Sequence, residues 1–409
     1  MSNAFFEPAR ARYIASNIAT LNWMLARPRL HGVYLNTKQN PLTLVDYGPE
    51  DGWRGPDHIY GWIEGRGLEA VVLHAEALRT LDPDLAGRLE AAAHPLASAL
   101  EDLRAGDGHA YFAYDRQMQP IRFLPDGTPV AQMRPVDIYT YSDTFVAKGL
   151  VAHASVHDRA ELPRHLAALR AVIEAIEDGR FQMDEKIALS HAAIAAEIDD
   201  FGPRMIMLGA AGMLVRAGLS DVASGFADRF IAHIIDRHFD PATGLLRNAP
   251  GLDACNVGHA IEFVGFAFDY LPADPDPELV RVLERILVSS VELGLKGPAI
   301  RLVVSASTGQ PMSPYCPWWS LPETIRSAAL TFERTHGARV LEIWKQADAI
   351  FFEKYWRPEA AIAYQCLTED GPIDYVPATP DLDPGYHTGL SLLAAIDMIG
   401  RRDDAFKPE

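Results

Sequence analysis

Two histidines stand where proton-transfer groups would be expected. The first lies in Asn256-Val257-Gly258-His259-Ala260-Ile261-Glu262-Phe263. Gly258 marks the edge of a helix after a long loop, so His259 falls in the first turn, with Glu262 three residues on and on the same face. A carboxylate beside an imidazole fixes its tautomer and raises its basicity, as a general base requires. The same spacing also suits an ordinary helix-start histidine in a surface ion pair. The second lies in Pro384-Gly385-Tyr386-His387-Thr388-Gly389-Leu390, another Gly-bounded loop leading into an apolar helix. The chain has 14 His. Surface or core roles suffice for most, among them His74, His94, His153, His157, His233 and His336.

Three further segments carry groups that bind polyols as readily as they fill a core. Cys316-Pro317-Trp318-Trp319-Ser320-Leu321-Pro322-Glu323 opens a helix with adjacent tryptophans that point in different directions. Flat aromatic faces stack on the apolar C–H face of a sugar ring, and Glu323 follows Trp319 by four residues. The plain alternative is two core tryptophans and a solvated glutamate. His58, Trp62 and Arg66 share one helical stripe, and a buried Arg needs partners, so the stripe suits a polar inner wall. Tyr139-Thr140-Tyr141-Ser142-Asp143-Thr144-Phe145 opens another helix, where Ser142 or Asp143 also serves as an N-cap.

These groups need a scaffold, and its dominant period is helical. Amphipathic or apolar runs bounded by Pro, Gly or Asp fall at 8–26, 57–80, 84–105, 137–155, 159–178, 202–217, 219–237, 258–271, 276–293, 318–335, 338–354 and 385–399. Asp82-Pro83 and Asp274-Pro275-Asp276-Pro277 are strong helix starts. Short links at 218–221 and 336–337 alternate with long ones at 27–56, 106–136, 238–257, 294–317 and 355–384. That alternation predicts antiparallel hairpins with elaborated loops at one end. Six such hairpins closing on themselves give an all-α (α/α)₆ barrel, or toroid, a single domain over residues 1–409, with small β-hairpins in the long loops at one mouth. One hairpin is expected in 109–127, turning at Gln117–Gln119. An open superhelix of helix pairs is the architectural alternative.

Composition narrows the partners. Lys+Arg total 37 against Asp+Glu 55, a net charge of −18. This argues against nucleic acid, whose phosphates need clustered cations, and against anionic membranes. Three cysteines, Cys255, Cys316 and Cys366, form no disulfide framework and fit a reducing compartment. No apolar run has the ~18–20 residues needed to cross a bilayer, and the N-terminal segment has no signal-peptide pattern. The expected location is the cytoplasm. No His/Cys/Asp cluster has metal-ligand spacing, so no metal or cofactor is expected.

In this order along the chain, the segments resemble the N-acylglucosamine 2-epimerase superfamily, which includes cellobiose 2-epimerases and mannose-type aldose–ketose isomerases. Trp62-x-x-x-Arg66 is similar to its W-x-Q-x-R element, with Glu64 at the Gln position. Ser142-Asp143-x-Phe145 is similar to S-D-x-F. Gly258-His259-x-Ile261-Glu262-Phe263 resembles G-H-x-I-E-W, and Trp318-Trp319-x-x-x-Glu323 resembles W-W-x-Q-x-E, with Leu321 at the Gln position. Gly385-Tyr386-His387 resembles G-x-[FY]-H. The resemblance spans about residues 10–400. One departure stands out. The family's N-P-x-M-H-x-x-E-A element corresponds to Gly202-Pro203-Arg204-Met205-Ile206-Met207-Leu208-Gly209-Ala210. Ile206 and Gly209 there replace a His and a Glu, removing part of the hydroxyl-binding wall. Arg204 is the cation available to compensate, or to serve a differently charged substrate.

The resemblance implies a sugar 2-epimerase or aldose–ketose isomerase, with a small-molecule carbohydrate substrate and a homodimeric assembly. His259 and His387 would be general acid/base residues acting through a cis-enediolate, with Glu262 orienting His259. Arg66, Trp62, His58, Trp318, Trp319, Glu323, Asp143 and Arg204 would bind substrate, and the two imidazoles would face one cavity lined by Arg66 and Trp319. Two readings from other classes stand beside it. One is a glycoside hydrolase using Asp143, Glu262 and Glu323. The other is a non-catalytic sugar- or protein-binding member, which Ile206 and Gly209 favour.

Overall fold

Proline and aspartate start several of the helices. The computed structural model describes residues 4–375 and 378–405. Among these residues it contains thirteen α-helices: α1 Phe6–Ala26, α2 Gly61–Leu78, α3 Pro83–Arg104, α4 Tyr141–His157, α5 Leu162–Glu177, α6 His191–Ala196, α7 Gly202–Arg216, α8 Ser220–His238, α9 Val257–Tyr270, α10 Pro277–Gly294, α11 Ser320–Thr335, α12 Ala338–Ile350 and α13 Ser391–Ala405. Asp82 caps α3 by accepting from the Leu85 N–H, with Pro83 at the first helical position. Asp276 and Pro277 start α10 in the same way. Each helical run expected from the sequence has a counterpart, and the short α6 is an addition.

Two starts differ from expectation for one reason, which is that strand pairing pre-empts the helix. Ile59–Tyr60 pairs with Ala113–Tyr114, and the Gly61 N–H donates to the Phe112 carbonyl, so α2 begins at Gly61. His58 therefore lies outside the helix, and the expected stripe of His58, Trp62 and Arg66 loses its first member. Its ring instead sits edge-on to Phe123 at 5.0 Å. Likewise Tyr139–Thr140 pairs in parallel with Phe181–Gln182, and α4 starts at Tyr141, four residues later than expected.

The long loops carry the short strands. Ala113–Tyr114 pairs with Pro120–Phe123, which pairs with Pro129–Ala131. The turn at 115–119 is tightened by Asp115, whose carboxylate accepts from the Gln117 and Gln119 N–H groups, with Met118 at φ 58°. Ala254–Asn256 pairs with Val303–Ser305, and Cys316–Pro317 with Cys366–Thr368. The three cysteines are buried free thiols.

The chain divides into two compact units. The first comprises Met1–Thr20, Asp199–Pro377 and His387–Glu409; the second comprises Leu21–Ile198 and Ala378–Tyr386. In the first, α7 packs against α8 and α9, α9 against α10 and α11, and α11 against α12 and α13. In the second, α2 packs against α3 and α4, and α4 against α5. Consecutive helices thus bury their apolar faces on one another, as hairpins joined by short links require. Among the described residues, no helix is long and apolar enough to cross a membrane.

Candidate active site

In the first unit, α9, α11 and the segment before α13 bring His259, Glu262, Trp318, Trp319, Glu323 and His387 together. Strand Ala254–Asn256 ends at the cap of α9, where the Asn256 carboxamide oxygen accepts from the His259 N–H at 3.1 Å. The cap holds His259 in the opening turn. Gly258 beside it allows a close approach. A Cβ there would lie 2.7 Å from Cη2 of Trp319 and 2.6 Å from Leu302.

Trp319 is the hub. Its ring centroid is 5.8 Å from that of His259 and 5.5 Å from that of His387, with interplanar angles of 34° and 32°. Both tryptophans are buried, at 8% exposure for Trp318 and 9% for Trp319. Trp318 donates its indole N–H to Thr388 Oγ1 at 3.2 Å, which ties α11 to the turn that carries His387. That turn, Tyr386–Leu390, is a π-type widening just ahead of α13, entered through Gly385 at φ 83°.

His387 meets two carboxylates. Its Nδ1 is 3.0 Å from Glu323 Oε1 and 3.9 Å from Glu262 Oε1, and all three side chains are buried. Burial alone would raise the Glu323 pKa, but Arg326 at 3.2 Å and the His387 contact outweigh it and hold the group below its ordinary range. An ionised Glu323 can only accept, so His387 donates from Nδ1. The sequence singled out Glu262 as a partner for His259. In the structure its Oε1 also stands near His387, and it is Glu323, from another helix, that makes the short contact.

The departure at Ile206 and Gly209 has a steric counterpart on α7. Ile206 is buried, and a Cβ on Gly209 would lie 2.9 Å from Cζ of Phe266. The Phe266 ring fills the space a larger side chain would need, and the Arg326 guanidinium lies 4.9 Å over that ring. Arg204, also on α7, has its guanidinium 5.9 Å from the Phe230 ring.

The remaining sequence candidates, His58, Trp62, Arg66 and Asp143, belong to the second unit. There the Arg66 guanidinium lies over the rings of Phe145 at 4.0 Å, Trp62 at 5.3 Å and Tyr386 at 5.4 Å. Trp62 donates its indole N–H to Glu185 at 2.6 Å. Glu185 also accepts from the Ser142 N–H at 3.0 Å and from the Ser142 hydroxyl at 2.6 Å. Burial pushes the Glu185 carboxyl up to about 7. Sequence reading missed Glu185, because only the fold brings it to Trp62 and Ser142.

Asp143 is committed to the protein itself. Thr140 caps α4, with Asp143 as its capping-box partner. The carboxylate also takes Arg134 at 2.7 Å, the Ala110 N–H at 2.9 Å and His109 at 3.3 Å. Burial opposes its ionisation, yet Arg134 and these hydrogen bonds bring it down to about 2. Nearby, buried Lys148 donates to the Tyr386 hydroxyl at 2.6 Å and pairs with Glu69 at 3.3 Å. Among the described residues, two groups have the geometry to hold a metal ion: Glu262 with Glu323 and His387, and Asp199 with His233 and His238.

This architecture is that of the α/α toroids, all-helical with short strands in the long loops. Cellobiose 2-epimerase from Bacillus thermoamylovorans superposes with a TM-score of 0.73 at 16% identity, covering 97% of this chain and all of that one. Cellobiose 2-epimerase from Spirochaeta thermophila gives 0.72 at 14% identity, covering 98% of each chain. A D-mannose isomerase gives 0.69 at 11%, covering 97% of this chain and 98% of that one. All three are members of the N-acylglucosamine 2-epimerase superfamily. No protein-family model matches the sequence, and no curated protein matches it.

Proposed function

We propose that this chain is a carbohydrate epimerase or isomerase that acts on an open-chain sugar through a cis-enediolate. The observation that carries the reading is the pair of imidazoles, His259 and His387, held against one buried indole, Trp319. One imidazole removes the proton from C2 and the other returns a proton. Return to the opposite face of C2 gives the epimer, and return to C1 gives the ketose. Positioned general acids and bases contribute roughly 10²–10⁴-fold each. Glu323 fixes the tautomer of His387, with Glu262 beside it, and Trp319 supplies a flat face for the sugar carbons. The reading includes a homodimer in the cytoplasm built from one toroid domain over residues 1–409, and requires no metal for the proton transfers.

A carboxylate-only hydrolase is the weaker reading. Asp143 is engaged by Arg134 and two backbone or imidazole donors, and Glu323 is engaged by His387 and Arg326. The test is solvent exchange. Aldoses, ketoses and N-acyl sugars are incubated with the protein in D₂O, and deuterium at C1 or C2 is followed by NMR. Wild type is expected to exchange one of them, and His259→Asn and His387→Asn each to lose that exchange. Wild-type exchange in both folded variants would sink the reading, and sugar binding without any exchange would point to a non-catalytic protein.

A further inference from the structure

Away from the two imidazoles at Trp319, the end of α8 carries a second pair that the proposed reaction does not use. His233 and His238 lie on its last turns, and Asp199 comes from the segment ahead of α7. One ligand atom from each of the three lies within 4.8 Å of the others.

The state of His238 is fixed by its neighbours. It is 1% exposed, and its Nδ1 lies 3.1 Å from the Arg247 carbonyl oxygen. A carbonyl only accepts, so Nδ1 carries the proton and Nε2 presents a lone pair. That Nε2 is buried with no hydrogen-bond donor, and the Nε2 of His233 is buried without a partner as well. Two inward-facing imidazole nitrogens without protein partners cost folding free energy unless something electrophilic sits between them. An imidazole that gives its far N–H to a backbone carbonyl is the usual outer arrangement of a metal-bound histidine.

The third group completes the set. Asp199 is exposed, His233 half-buried and His238 buried, so the cluster runs from solvent inward and offers both an entry path and a position for water. Arg237 holds Asp199 at Oδ2, at 2.7 Å, which orients the carboxylate.

We infer that Asp199, His233 and His238 form a binding site for a divalent transition cation such as Zn²⁺, separate from the His259 and His387 pair. Two imidazoles and one carboxylate, with water as fourth ligand, suit zinc, whose bonds to N and O are about 2.0–2.2 Å. Small side-chain rotations close the remaining gap. Phe201 lies between the two regions, its ring 5.5 Å from that of His238 and 6.3 Å from that of His259, so the bound cation would stiffen the wall behind His259.

The test uses the full chain, stripped with a chelator and titrated with ZnCl₂ by calorimetry and with CoCl₂ by visible absorption. Wild type is expected to bind one Zn²⁺ tightly, with a cobalt d–d spectrum of low coordination number and a rise in melting temperature. His233→Ala and Asp199→Asn should weaken Zn²⁺ at least tenfold, and His238→Gln at least as much where it folds; unfolding of each variant is checked by circular dichroism. His153→Ala, whose ring lies 5.2 Å from those of His94 and His157 in the second unit, and Glu323→Gln, in the other group with metal-binding geometry, should leave the affinity intact. Absence of stoichiometric binding to wild type overturns the inference. So does binding that survives His233→Ala and Asp199→Asn, or that disappears in Glu323→Gln or His153→Ala.

Discussion

The two units treat buried polar groups in opposite ways. In the second, buried charges are closed into paired sets: Asp143 with Arg134, His109 and two backbone donors, Lys38 with Asp381 at 2.8 Å, and Glu185 with Trp62 and Ser142. In the first, His387 Nδ1 meets Glu323 and Glu262 beside one indole, and His259 is anchored through its backbone N–H. Charges that neutralise one another fix shape, whereas two imidazoles gathered beside an indole and two carboxylates have the groups that proton transfer needs. Buried ionic clusters therefore divide into those whose charges pair off to hold a scaffold and those that bring together groups suited to proton transfer.

That division can be broken by substitution. Glu323→Gln removes the anion behind His387 while keeping its shape. It is expected to lower kcat about 10²-fold with little change in KM, and to move the acid limb of the pH–rate profile, followed by deuterium wash-in. Asp143→Asn strands the Arg134 charge in the second unit. Its cost should fall on stability, about 3–5 kcal/mol by urea unfolding. If its main effect were on turnover with stability unchanged, the contrast between the units would fail.

Smaller effects sharpen the picture. Gly258→Ala drives a methyl into Trp319 and Leu302, and overpacking of this kind costs about 1–3 kcal/mol. Here it should also raise KM, because the indole is displaced. Glu64 offers the gentlest probe. Its carboxyl is buried, accepts from the Leu35 N–H at 2.9 Å, and is pushed by burial from its ordinary 4.5 up to about 8. The folded chain therefore holds a proton that the unfolded chain has lost, so stability falls as pH rises from 4.5 to about 8. Glu64→Gln keeps the acceptor and removes the titration. Its melting temperature should match wild type at pH 4 and exceed it by a few degrees at pH 8.

Helix periodicity and Pro or Asp starts carried most of the fold into the sequence. They were misleading at 57–60 and 137–140, where pairing with distant strands decides the backbone, and distant pairing leaves no local period. The site was legible in part. His259, His387, Trp319 and Glu323 stand out because Gly and aromatic neighbours flag them at helix entries. Their partnership was not legible, since the 64 positions between Glu323 and His387 are bridged only by the approach of α11 to the turn before α13. Glu185 and the set of Asp199, His233 and His238 were invisible for the same reason. The spacing of His233 and His238 matches no local ligand pattern, and Asp199 joins them from another element.

Trp319 also gives the molecule an optical signal of its own. Imidazolium is a stronger quencher of indole emission than neutral imidazole, and this ring lies against two imidazoles at once. Fluorescence recorded across a titration, and compared with a Trp319→Phe control, therefore reads the proton occupancy of both histidines before any sugar has been identified.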